Sequence, residues 1–96
     1  MYAAIRQGQV NPGAVPEVAR RIQEGISTIR NMPGFVTYYL VHSGNDTVIS
    51  ITIFETQAQA EAFQERANDR AREVLVPLLQ GPLQLRTGEV LLHVAK

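Results

Sequence analysis

Few side chains in this 96-residue chain could bind or activate a polar group, and the best candidates fall within predicted β-strands. Arg6 is the only cation of the predicted sheet before its last strand. A guanidinium is always charged and donates in a fork, so an inward-facing Arg6 could hold a phenolate or a carboxylate. An outward-facing Arg6 would instead reach the rim or pair with an acid. Tyr39, Ser50 and Thr52 share a predicted face, where they could orient the same polar group or pair with one another in a dimer core.

Other kinds of chemistry find little support in the sequence. There is no cysteine, and the two histidines, His42 and His93, have no carboxylate cluster at ligand spacing, so we expect no metal site. His42 with Asp46 is a candidate acid–base pair, although a surface position is the simpler interpretation of both histidines. Glu55 follows a predicted strand and precedes a helix, where a carboxylate is favoured by the helix dipole alone. No phosphate-binding loop, nucleophile elbow or zinc motif occurs.

Composition and charge restrict the class of protein. Apolar residues make up 45% of the chain and charged residues 19%, which is typical of a folded domain, and the net charge is zero. A chain without a basic excess is not expected to bind nucleic acid or an anionic membrane surface. The sequence starts without a basic region followed by an apolar core, and no stretch has the apolar length of a membrane span. We therefore expect one cytoplasmic domain over residues 1–96.

Turn signals, a capping box and residue periodicity predict four strands and two helices. Thr56, with Gln59 three residues later, forms a capping-box pattern that begins the second helix, and Pro77 ends it. The predicted elements are a strand over 2–10, a helix over 14–31, a hairpin with its turn at 43–46, a helix over 58–75 and a strand over 83–94. This β-α-β-β-α-β order predicts an α+β, ferredoxin-like fold with both helices on one face of a four-stranded antiparallel sheet.

The hairpin predicts what each face of that sheet contacts. If His42 pairs with Thr47, the period of two places one apolar set beneath the helices: Val36, Tyr38, Leu40, Ile49, Ile51 and Ile53. The opposite face then carries Phe35, Thr37, Tyr39, Val41, Val48, Ser50, Thr52 and Phe54. Because this second set would be a large exposed apolar patch, we expect a second copy of the chain to cover it. The apolar last strand, with Leu85, Leu91 and Leu92, is expected to join that interface.

The chain resembles the antibiotic-biosynthesis-monooxygenase-like domains of the dimeric α/β-barrel superfamily over nearly its whole length. The resemblance rests on short motifs in order along the sequence: Pro12-Gly13, Arg20-Arg21 within the first helix, Pro33-Gly34-Phe35 with Tyr38 and Tyr39, Ser50 to Phe54-Glu55, and Gly88-Glu89-Val90. It implies a homodimer whose two sheets form a barrel, with a pocket between sheet and helices in each subunit.

The resemblance also implies two alternative activities. Some members oxygenate polyphenols or quinols without metal or flavin, because the anion of the substrate itself reduces oxygen, and others bind and degrade haem. Both kinds often carry a Trp at the end of the third strand and a His about ten residues later. Those positions fall at Phe54 and Gln64, the chain has no Trp, and residues 58–75 contain no His. We therefore expect no haem ligand there and no cofactor.

The resulting prediction is a homodimer that binds a small aromatic molecule, resembling a quinol or polyphenol, and oxygenates it without a cofactor. The alternative is a non-catalytic homodimer of the same fold that binds a small ligand or serves as an interaction module. The predicted pocket residues are Arg6, Tyr39, Ser50, Thr52, Phe54 and Phe63.

Overall fold

A computed structural model describes all residues from Met1 to Lys96. The elements are β1 (Tyr2–Gln9), α1 (Val15–Glu24), α2 (Ile26–Arg30), β2 (Phe35–His42), β3 (Thr47–Phe54), α3 (Gln57–Val74), a 3-10 turn (Val76–Leu78) and β4 (Gln84–Glu89). The four strands form one antiparallel sheet in the order β2-β3-β1-β4. The predicted α+β, ferredoxin-like arrangement is confirmed. No helix combines the length and the apolar character that a membrane span requires.

The hairpin register differs by one residue from the prediction. His42 pairs with Val48 and not with Thr47. The Ser43 N–H donates to the Thr47 carbonyl at 3.0 Å, so the turn itself contains only Gly44, Asn45 and Asp46. All three adopt positive φ, of 91°, 50° and 55°, which turns the chain in fewer residues than predicted.

This shift exchanges the two faces of β3. Val48, Ser50, Thr52 and Phe54 point towards the helices, and the isoleucines between them point to the open face. The predicted face of Ile49, Ile51 and Ile53 is therefore wrong. The positions of Tyr38 and Leu40 beneath the helices are confirmed, since both line a cavity there.

The predicted first helix is two helices that meet at Gly25. A Cβ at this position would lie 2.8 to 3.0 Å from the Nε, Nη2 and Cζ atoms of Arg70. The absence of a side chain at Gly25 therefore leaves room for the Arg70 guanidinium to pack there. The end of α1 is closed by backbone bonding, with the Gly25 N–H donating to the Ile22 carbonyl at 3.0 Å. The break brings the α1–α2 corner against α3.

The capping box at the start of α3 is confirmed. The Gln59 N–H donates to Thr56 Oγ1 at 3.3 Å, and the Thr56 N–H donates to Gln59 Oε1 at 3.1 Å. These two bonds satisfy donors that a helix start leaves free. The helix then packs Ala60, Phe63 and Ala71 against the sheet, so its small side chains allow a close approach.

Two apolar clusters hold the helices on the sheet. One contains Ala4, Phe54, Ala60 and Phe63, with the rings of Phe54 and Phe63 5.4 Å apart. The other contains Val10, Val18 and Val48, below α1. The space between these clusters is the site described below.

The last strand is shorter than predicted. β4 ends at Glu89, since β1, its pairing partner, begins at Tyr2, and the Val90 N–H makes a final bond to the Met1 carbonyl at 2.9 Å. Leu91, Leu92 and Val94 follow without a partner strand and are 87%, 81% and 81% exposed.

Candidate functional site

A cavity of about 130 Å3 lies between the sheet and the helices. Its wall is mainly apolar, and every α-helix and every strand except β4 contributes to it. Representative apolar wall residues are Val18, Ile22, Leu40, Val48, Phe63 and Leu83. Gly8 permits this wall, because a Cβ there would lie 2.4 Å from Leu83 Cδ2. Such a cavity takes an apolar molecule about the size of one aromatic ring.

The charged groups on the cavity wall are all positive. Arg6, Arg21, Arg66 and Arg70 line it, and no Asp or Glu does. These are four of the eight arginines in a chain whose net charge is zero. The cavity is therefore a local centre of positive potential in a neutral protein.

Arg6 is the most buried of the four and has no ion-pair partner. Its position on β1 points it towards the helices, and only 7% of the residue is exposed. Nη1 donates to Gln64 Oε1 at 2.9 Å and to Asn68 Oδ1 at 3.0 Å, both of them neutral acceptors. Nη2 is buried and has no hydrogen-bond partner. Burial lowers the pKa of Arg6 from its ordinary value, which reflects the cost of holding this charge away from water.

Two hydroxyl groups complete the polar part of the wall. Ser50 pairs across the sheet with Arg6 on one side and Leu40 on the other, and Tyr38 is the next inward-facing residue of β2. Burial raises the pKa of Tyr38, and the Ser50 hydroxyl and the Arg6 charge offset only part of this effect. The Tyr38 phenol is therefore neutral at neutral pH, where its O–H can donate to a bound oxygen.

The structure brings together only part of the predicted pocket. Arg6, Ser50 and Phe63 line the cavity. Thr52 and Phe54 are fully buried in the same sheet face but do not reach the cavity wall.

Tyr39, in contrast, is 57% exposed on the opposite face, so the prediction that it shares a face with Ser50 and Thr52 is wrong. The shifted hairpin register is the cause, since it turned β3 over while β2 kept its predicted orientation from Thr37 onward. At the start of β2, a bulge between Phe35 and Thr37 reverses the prediction, so that Phe35 packs on Phe54 and Val36 is 42% exposed.

Sequence reasoning missed Tyr38 and the arginines of α3 as site residues. Tyr38 was predicted to face the helices, and the correct register would have placed it beside Ser50. Arg66 and Arg70 are four residues apart, so they share one helix face, but only the break at Gly25 shows that this face meets the cavity.

Gln64 occupies the position at which the resemblance places a histidine. Its Oε1 accepts from Arg6, and its Nε2 donates to the Arg86 carbonyl at 3.2 Å. The side chain therefore links β1, β4 and α3, and both ends of its amide are in use.

Fold and site together define a ferredoxin-like α+β domain with a small, positively charged cavity between sheet and helices. The family model for antibiotic biosynthesis monooxygenase matches residues 1–74. The chain therefore belongs to the antibiotic biosynthesis monooxygenase family, as the resemblance implied. A search of curated proteins finds no match.

Solved structures share the fold over almost the whole chain. A protein of unknown function from Nitrosomonas europaea is 16% identical, with a TM-score of 0.84, covering 99% of this chain and 93% of that one. The haem degrader MhuD from Mycobacterium tuberculosis, solved with two haems in its active site, is 28% identical, with a TM-score of 0.71, covering 99% of this chain and all of that one. A point mutant of MhuD with two manganese protoporphyrin IX molecules per active site is 24% identical, with a TM-score of 0.78 and complete coverage of both chains.

Proposed function

We propose that this chain binds a small phenolic molecule of the quinol or polyphenol class in the cavity and oxygenates it without a cofactor. The observation that carries this proposal is the guanidinium of Arg6, which is buried at an apolar cavity without any carboxylate partner. A buried charge that is not paired is costly, and two neutral acceptors compensate it only in part. A phenolate in the cavity would provide the missing opposite charge.

The same positive charge substitutes for a general base. No Asp, Glu or His lines the cavity, so no wall residue is suited to take the phenolic proton at neutral pH. A nearby cation favours the ionised form of a phenol and lowers its pKa, which lets the proton pass to water at the mouth. The neutral Tyr38 hydroxyl and Ser50 can then donate to the phenolate oxygen.

The anion of a quinol or polyphenol is electron-rich enough to reduce oxygen directly, and the balance, written for the reacting phenol ring, closes without a cofactor. A phenol and one dioxygen give a benzoquinone and one water. One oxygen atom becomes the new carbonyl, the other leaves as water with the two displaced hydrogens, and all four electrons come from the ring. The apolar wall keeps bulk water from the intermediate.

Haem, the ligand of MhuD, does not fit this cavity. At about 130 Å3 the cavity holds roughly one ring, which is far less than a porphyrin needs. A second, more open pocket of about 490 Å3 shares Arg6, Leu79 and Leu83 with it, and its wall has no histidine, cysteine, methionine or tyrosine. Among the wall residues only Met32 and Tyr38 carry an atom of a type that binds haem iron axially, and no histidine or cysteine does. Gln64, at the position of the expected histidine, is engaged with Arg6 and a backbone carbonyl. No step is therefore assigned to haem.

A second candidate function is non-catalytic binding of the same ligand. The observation that favours it is the absence of a titratable base from the cavity wall, together with Phe54 where the resemblance places a Trp. Binding needs only the cavity and the Arg6 charge, whereas oxygenation also needs access for oxygen and an ionised substrate.

Oxygen uptake with a panel of quinols and polyphenols separates the two functions. We expect uptake that matches quinone formation one to one, and we expect Arg6→Gln to abolish it while an exposed control, Arg30→Gln, retains it. Ligand binding without uptake would establish the second function. If folded protein neither binds any panel member nor consumes oxygen, the proposal is wrong.

The assembly we propose is a homodimer through the open face of the sheet. The central positions of that face are apolar, and its charged side chain is Arg86 of β4, which pairs with Ile5. The apolar residues are Ile5, Tyr39, Val41, Ile49, Ile51 and Ile53. Tyr39 and Val41 are 57% and 41% exposed, and Leu91 and Leu92 of the C-terminal segment are exposed apolar residues as well. A patch of this kind is typical of a protein interface.

The oligomeric state tests this assembly. Ile51 lies at its centre, paired with Ile5 on one side and Tyr39 on the other. We expect the protein to sediment as a dimer and Ile51→Glu to sediment as a monomer, whereas Gln23→Glu on exposed α1 leaves the dimer intact. A wild-type protein that is monomeric at all concentrations would contradict the assembly.

A further inference from the structure

The mouth of the cavity carries two arginines whose charge nothing in the protein compensates. Arg66 and Arg70 line the cavity from α3, and both are exposed. All ion pairs of the chain involve Arg20 or Arg21, which bind Glu17 and Glu24 on α1. The charge of Arg21 is thus neutralised by Glu17, and Arg6, Arg66 and Arg70 are the uncompensated cations of the cavity.

The position of Arg70 is defined by the break in the first helical segment. Its guanidinium lies where a side chain at residue 25 would be, and glycine leaves that space open. The side chain is therefore packed at the α1–α2 corner, next to the cavity wall formed by Ile22 and Ile29. A seated guanidinium loses less freedom when it binds an anion than a freely moving one.

The cavity wall combines separate positive groups with apolar surface. Arg6 is buried in the sheet face, Arg66 and Arg70 line the cavity from exposed positions on α3, and Ile29, Phe63 and Ala67 are among its apolar wall residues. With no acid on the wall, nothing inside repels a second negative group.

From this arrangement we propose that the ligand is a phenol that also bears a carboxylate, with the phenol oxygen at Arg6 and the carboxylate at Arg66 and Arg70. The inference rests on the proposed function, because it assumes that the phenolic end occupies the cavity. It adds a specificity element: the mouth arginines select a phenolic carboxylic acid over a neutral phenol of equal ring size, because a guanidinium binds a carboxylate in a bidentate, charge-assisted manner.

Two probes that differ only in the second charge test this proposal by calorimetry. They are para-cresol, which is neutral, and para-hydroxyphenylacetate, which adds a carboxylate to the same ring. At low salt we expect the second to bind about tenfold more tightly, which corresponds to about 1.4 kcal/mol. Because the mouth is exposed, that preference should shrink as salt is raised.

Variants at the mouth identify the source of the preference. The double variant Arg66→Gln, Arg70→Gln should bind the two probes with equal affinity, because it removes the charges that the carboxylate of para-hydroxyphenylacetate meets. Arg30→Gln removes one exposed charge of α2 that does not line the cavity, and it should keep the preference.

The outcomes separate this inference from the proposed function. If para-cresol binds and para-hydroxyphenylacetate binds no better, only the carboxylate assignment is wrong. A preference that survives in the double variant would also overturn it. If neither probe binds to the folded protein, the phenol-binding cavity itself is refuted, and the carboxylate assignment with it.

Discussion

Thr52 carries a hydroxyl that the folded protein does not use, so we predict that Thr52→Val stabilises it. The residue is 0% exposed in the middle of β3, and its Oγ1 is buried without a hydrogen-bond partner. Valine has nearly the same shape, and β-branched residues are favoured in strands. The substitution therefore removes a polar group from an apolar site without leaving a cavity.

The size of the effect follows from what the hydroxyl loses on folding. A buried donor or acceptor without a partner costs about 1–3 kcal/mol relative to water. Taking the lower part of that range, because a hydroxyl can rotate towards a weak acceptor, we expect a gain of about 1–2 kcal/mol. For a domain of this size each kcal/mol raises the Tm by roughly 4–8 °C.

Urea denaturation followed by circular dichroism measures the change, at one protein concentration because a dimer would make stability concentration-dependent. Thr56→Val is the matched control. It makes the same substitution at a hydroxyl that accepts from the Gln59 N–H at 3.3 Å, so it should destabilise by about 1 kcal/mol through loss of the N-cap. Opposite signs for one chemical change would establish that hydrogen bonding, and not residue type, decides the result.

A destabilised Thr52→Val would refute the reasoning. It would mean that the hydroxyl has a partner in solution, such as a buried water, and that the polar part of the sheet face extends beyond Ser50. Binding of the cavity ligand should be unaffected by Thr52→Val, because this residue does not line the cavity.

Three further predictions concern pH and backbone. Burial raises the pKa of Tyr38, so above pH 10 the folded state keeps a proton that the unfolded chain loses. The free energy of unfolding therefore falls as the pH rises in that range, and Tyr38→Phe should flatten this alkaline decline in denaturation curves. Hydrogen bonds from Arg20 and Arg21 lower the pKa of Glu17 to about 2. The stabilisation from the ionised Glu17 is therefore complete above the ordinary pKa of 4.5 and is lost as the pH falls towards 2. Glu17→Gln should flatten this acid part of the stability curve. Gly34 has a φ of +79°, and a Cβ there would lie 1.9 Å from Gln59 Oε1. Gly34→Ala should therefore lower the free energy of unfolding, measured in urea, by about 2 kcal/mol, and by less in a Gln59→Ala background.

Features of the fold that depend only on residues close together in the sequence could be predicted. The capping box of Thr56 and Gln59 is a local pattern with a local cause, and it begins α3 as expected. Gly25 shows where such reasoning fails. A lone glycine within an apolar periodicity is tolerated in a helix, and only the guanidinium of Arg70, 45 positions further along the chain, shows that this glycine ends α1.

The candidate site was predictable to the extent that one strand determined it. The alternation of β1 identified Arg6 as a candidate but left its side of the sheet open, and the structure places it towards the helices, in line with the small residues Ala4 and Gly8. The absence of an acid beside Arg6 could not be predicted, because the residues that surround it, Gln64 and Asn68, lie 58 and 62 positions away. Composition gives a neutral chain, whereas the fold gathers four arginines at one cavity.

The hairpin register connects the cavity to the proposed dimer. The three-residue turn with positive φ throughout is what moves Ser50 beneath the helices, beside Arg6, and moves the isoleucines of β3 to the open face. With the register predicted from the sequence, Ser50 would lie in the subunit interface and the cavity wall would offer no hydroxyl from β3. The observed register makes the open face more apolar and the cavity more polar at the same time. The ligand site and the proposed subunit interface, on opposite faces of one sheet, therefore both depend on the turn conformation of Gly44, Asn45 and Asp46.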